Sequence, residues 1–79
     1  MDWSYKHKEE IDVRTFKDEF FEKQVKNAII DKMWNLPLVI KTGPSDQNLH
    51  IRQRVHGVLD QLRVTESINR YNEIEIVRL

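Results

Sequence analysis

Arg52 and His56 are the residues of this sequence whose types and spacing best fit a chemical task. They lie in Leu49-His50-Ile51-Arg52-Gln53-Arg54-Val55-His56, four apart, so on a helix they share one face. Arg63 returns to that face almost two turns later. A guanidinium fork, an imidazole and a second guanidinium along one edge form a cradle for a single phosphate group. Lys41, Arg54 and Arg70 would supply a cationic rim, and Tyr71 a ring on which a base stacks for about 1–3 kcal/mol. The competing reading is the polar edge of an amphipathic helix, with Tyr71 packed on a sheet. With six arginines in the chain, an Arg-x-x-x-His match arises by chance fairly often.

Catalysis finds little to work with, and the chain is read as a non-enzyme. A nucleophile–base pair needs a positioned base beside a hydroxyl or thiol. There is no cysteine, and Ser4, Ser45 and Ser67 sit in no nucleophile-elbow pattern. Only Gly43 and Gly57 are glycines, too few for a phosphate-cradling or dinucleotide-binding loop, so no cofactor is expected. His50 and His56 are six apart and diverge on a helix, where chelation favours spacings of three or four. The adjacent pairs Glu9-Glu10 and Asp18-Glu19 diverge too, and no metal site is expected.

The elements that must hold the Arg/His pair follow from the apolar pattern. Glu10-Ile11-Asp12-Val13-Arg14 alternates as a short half-buried strand. Thr15, with Asp18 three residues on, marks a helix start, and the helix runs from about Phe16 to Trp34. It is apolar on two sides: Phe21, Val25, Ala28 and Ile29 on one, Phe16, Phe20, Ile30 and Trp34 on the other. Such a helix is sandwiched between layers or covers a partner. Pro37 ends it. Leu38-Val39-Ile40 reads as a central strand, Gly43-Pro44-Ser45-Asp46 as a turn whose Ser45 or Asp46 caps the next helix.

The second helix spans about Gln47 to Leu62 and buries Ile51, Val55, Val58 and Leu62, with Leu59 on the border. Glu73-Ile74-Glu75-Ile76-Val77-Arg78 closes the chain as a half-buried strand. The predicted fold is a compact two-layer β-α-β-α-β unit, a three-stranded sheet with two helices on one face. Residues 1–8 read as a flexible N-terminal segment and 9–79 as a single α/β domain.

Composition narrows the setting. A 79-residue chain has room for one domain, which buries only about 60% of its unfolded surface. Thirteen basic residues balance thirteen acidic ones, which argues against a sequence-blind, charge-driven DNA binder. Up to Lys41 the cations are lysines apart from Arg14; beyond it all are arginines, the better fork for phosphate. Absence of cysteine fits a reducing compartment, and no apolar run is long enough to cross a bilayer. An intracellular protein, cytoplasmic or nuclear, with no membrane partner is expected.

In order, the helix, the apolar strand Leu38-Val39-Ile40, the Gly43-Pro44-Ser45 turn, Arg52 with His56 on the Val55/Val58/Leu62 helix, Ser67 and the strand from Ile74 to Val77 resemble the Arg-x-x-x-His domain family over roughly Phe20 to Leu79. The resemblance implies a three-stranded sheet with two helices that binds single-stranded DNA or RNA, with a 5′-phosphate end among the candidate ligands. By carry-over Arg52 would hold a phosphate bidentately, and His56 would bind it or orient Arg52. The chain departs from the family where a glycine near the end of the second helix is replaced by Arg63. It departs again in Ser67-Ile68-Asn69-Arg70-Tyr71-Asn72, which lacks the glycine of the family's loop. The alternative is a protein-interaction or homodimerisation module, docking through Phe16, Phe20 and Trp34 of the first helix.

Overall fold

Leu38, Val39 and Ile40, each buried, make the centre of the sheet, as a run of apolar and β-branched residues should. The computed structural model describes residues 9–34 and 36–78; the expected flexible segment 1–8 lies outside the described residues. The order is β1 (Glu9–Asp12), single 3-10 turns at Val13–Thr15 and Asp18–Phe20, α1 (Phe21–Lys32), β2 (Leu38–Lys41), α2 (Leu49–Gln61), β3 (Glu66–Asn69) and β4 (Glu73–Arg78). Strands lie in the order β1-β2-β4-β3, β1 parallel to β2 and the other pairs antiparallel.

The sheet therefore has four strands, not the expected three. The strand that was missed is β3, Glu66-Ser67-Ile68-Asn69. It is an outer strand, mostly exposed, with Ile68 its one large apolar residue, so no alternating run announces it. Backbone pairing to β4 defines it, with a register shift at Glu66/Ser67.

Alternation puts Leu38 and Ile40 on one face of β2, opposite Ile76 and Ile74 of β4. With Ile11 and Val13 they meet Phe21, Val25 and Ile29 of α1 and Val55, Val58 and Leu59 of α2 in one core. Both helices thus cover the same face. Val39 and Glu75, paired across β2 and β4, point to the other side and are still buried.

The first helix is shorter than its pattern. Phe16 and Lys17 are extended, so the predicted start at Phe16 fails and α1 begins only at Phe21. Thr15 does not cap it; its hydroxyl donates to the Asp12 carbonyl, while Asp12 caps the first 3-10 turn by accepting from the Arg14 amide at 3.0 Å. Nor does Pro37 end it, since α1 stops at Lys32. There the Trp34 indole N–H donates to the Asp31 carbonyl at 2.8 Å, satisfying one of the orphan acceptors of a helix end.

Candidate functional site

The loop into α2 is built around Gly43, at φ +82°, where a Cβ would come within 2.7 Å of Asn48 Nδ2. Neither Ser45 nor Asp46 caps α2. Asn48 stands at the N-cap and its carbonyl takes the Arg52 amide at 3.1 Å. The Ser45 amide instead donates to the Tyr71 carbonyl at 2.8 Å, and those of Thr42 and Gly43 to the Asn72 carbonyl at 3.0 and 3.1 Å. The turn between β3 and β4 is thereby stitched to this loop, with its carbonyls turned inward.

Arg52 completes that arrangement. It is only 6% exposed, and its Nη2 donates to the carbonyls of Arg70, Tyr71 (2.8 Å) and Glu73 (3.4 Å). Its Nε is buried without a hydrogen-bond partner. One turn on, His56 Nε2 lies 2.8 Å from Asn69 Oδ1 in β3. The two residues do share a helix face, as their spacing requires, and that face looks onto the β3–β4 hairpin. In this geometry the pair acts as a polar clamp between α2 and the hairpin.

The other expected cations are dispersed. Arg54 points towards α1, where it pairs with Asp18 and with Glu22 (Nε to Oε2, 2.6 Å) and lies 4.5 Å from the centre of the Phe21 ring. Its hydrogen bonds and charge pull the Glu22 carboxyl down to about 2, and hydrogen bonds to Glu22 and Asp18 raise the Arg54 guanidinium in turn. Lys41 sits at the end of β2, 3.8 Å from Glu10 Oε2. Arg70 holds the buried Glu75 at 2.9 Å and Glu73 at 3.8 Å.

Arg63 has a different place. It follows α2 at φ 59°, the left-handed position where helices usually carry glycine. Its amide donates to the Asp60 carbonyl and that of Val64 to Leu59, closing the helix end. Tyr71 is 57% exposed and its hydroxyl donates to Asp46 Oδ1 at 3.0 Å, which raises the phenol's pKa. Tyr71 and Asp46 flank the start of α2 and Arg63 its end, about 20 Å away for a helix of 13 residues. The five cations, His56 and the ring do not converge on one ligand-sized site.

Another surface does stand open. Trp34 is 79%, Phe20 54% and Ile30 46% exposed, all on the side of α1 away from the buried Phe21, Val25 and Ile29. Phe16 does not belong with them. It is half-buried, packs against the core and meets Phe21 edge-on with ring centres 6.3 Å apart, because it precedes the helix rather than sitting on it. Among the described residues no cluster of three histidine, cysteine or carboxylate side chains could hold a metal ion, and no helix is long and apolar enough to cross a membrane.

No family model, no curated protein and no solved structure matches the chain.

Proposed function

We propose that this chain is a protein-docking module that works through the outer face of α1. The observation that carries the reading is the exposure of Trp34, Phe20 and Ile30 on one side of a helix whose opposite side supplies the core. An exposed tryptophan one turn from an exposed isoleucine, with Phe20 further along the same side, is the kind of surface that interfaces use as an anchor. The alternative, phosphate recognition by Arg52, His56 and Arg63, asks for a guanidinium free to grip a ligand. The Nη2 of Arg52 is already engaged by three carbonyls, and its Nε is buried.

The test places a photoreactive benzophenone side chain at position 34 or, as a control, at the exposed Gln53 of α2, and irradiates living cells. A discrete protein adduct from position 34, absent from position 53 and lost on Phe20→Asp, supports docking. Equal, diffuse labelling from both positions refutes it.

A further inference from the structure

The exposed side of α1 has an order that its apolar character alone does not explain. Asn27 is at its middle. Lys23 stands four residues before it and Asp31 four after; Phe20 stands seven before and Trp34 seven after. All five are exposed. At 1.5 Å per residue, the charges lie about 6 Å and the aromatics about 10 Å on either side of Asn27 along the axis. Phe20 belongs to the 3-10 turn entering α1, and Trp34 to the turn leaving it.

From this pattern we infer that the partner on the docking face is a second copy of the same chain, its α1 packed antiparallel across a two-fold axis at Asn27. The inference rests on the docking reading and names its occupant. A two-fold interface must be self-complementary, each residue meeting the one equally far on the other side of the axis. Here that rule sets Lys23 against Asp31 of the second copy, twice, and Phe20 against Trp34, twice. The Asn27 amide, donor and acceptor at once, can bond to its own mate on the axis. Parallel packing would instead set Lys23 against Lys23.

The charges needed are available. On α1, Glu22 is taken by Arg54 and Lys32 by Glu9 (2.8 Å), whereas Lys23 and Asp31 carry no side-chain ion pair among the described residues. The same rule sets Ile30 against the aliphatic stem of Gln24 of the second copy, and Lys26 falls at the rim. An unrelated partner would impose no relation between the two halves of this face. A second copy demands one.

A seam about 20 Å long, from Phe20 to Trp34, belongs with the smallest specific interfaces, so the dimer is weak and exchanging. The experiment is sedimentation equilibrium of the full chain from about 10 μM to about 1 mM, the range in which such an interface dissociates. Single reversals Lys23→Asp or Asp31→Lys should each weaken the dimer about tenfold or more, as like charges then face each other twice. The double swap Lys23→Asp/Asp31→Lys should restore it. Both sites are exposed, and circular dichroism checks that each variant is folded.

A monomer throughout the range overturns the inference, as does a dimer indifferent to the single reversals or one the swap does not rescue. If the chain stays monomeric while position 34 still crosslinks to a different protein, the second copy fails and docking stands. If position 34 yields no adduct, docking fails with it.

Discussion

Replacing Arg52 by methionine keeps an unbranched apolar stem as far as Nε and removes the guanidinium beyond it. The structure gives that group three carbonyl acceptors, on Arg70, Tyr71 and Glu73. Two of them keep another donor, since the Ser45 amide reaches the Tyr71 carbonyl and the Arg70 amide reaches that of Glu73. The Arg70 carbonyl keeps none among the bonds described. A hydrogen bond from a charged donor is worth about 1.5–3 kcal/mol and an orphaned buried acceptor costs about 1–3. Against this, the substitution removes the burial cost of a charge whose Nε is already unpartnered. The expected net loss is about 2–4 kcal/mol, against a total of roughly 4–12 for a domain of this length. With a urea dependence near 1 kcal/mol per molar, the midpoint should fall by about 2 M or more. Urea unfolding followed by circular dichroism measures it. A folded variant with an unchanged midpoint would refute the clamp and return Arg52 to the list of phosphate ligands. In that event a 5′-phosphorylated single strand should shift amides around Arg52 and His56 by NMR; the clamp predicts no such cluster.

Arg63→Gly should stabilise the protein. Relief of the left-handed backbone offers about 1–2 kcal/mol, glycine's freedom in the unfolded chain takes back about 0.5–1, and the net gain of up to about 1 kcal/mol raises Tm by roughly 4–8 °C. A drop in Tm would mean that the Arg63 side chain does more than occupy a turn. Glu22 supplies a pH test. Its carboxyl is lowered from 4.5 to about 2 by Arg54, so its contribution is fully present above the ordinary carboxylate range and is lost as pH falls through about 2. Arg54→Ala should return Glu22 to the ordinary range in an NMR titration and make stability less steep in pH across that window. An unchanged Glu22 titration would show that the Arg54 pair does not form in solution.

The apolar stripes were legible because burial imposes a period. Val25, Ile29, Val55 and Val58 stand in the core where their spacing puts them. β3 was not legible, since an exposed outer strand is selected by backbone pairing, which leaves little mark on side-chain type. Phe16 was misplaced because i, i+4 spacing to Phe20 suggests a helix that the extended backbone at Phe16 and Lys17 does not form. For Arg52 and His56, spacing fixed that they share a face but could not say what faces them. The turn carbonyls that engage Arg52 come from residues nearly twenty positions further on. Glu22 was overlooked for the same reason, as its partner Arg54 is remote in sequence.

The strand order β1-β2-β4-β3 has a consequence for the nascent chain. β1, α1 and β2 form a contiguous half, and α2, β3 and β4 another, joined along β2 and β4. As the ribosome delivers the chain, β2 finds β1 at once but must wait through α2 and the hairpin for its other neighbour. During that interval Leu38-Val39-Ile40 presents a bare apolar edge, the kind that recruits stray strands. Arrival of β4 seals it, so a chain truncated before that strand leaves open the apolar β2 edge that β4 otherwise covers.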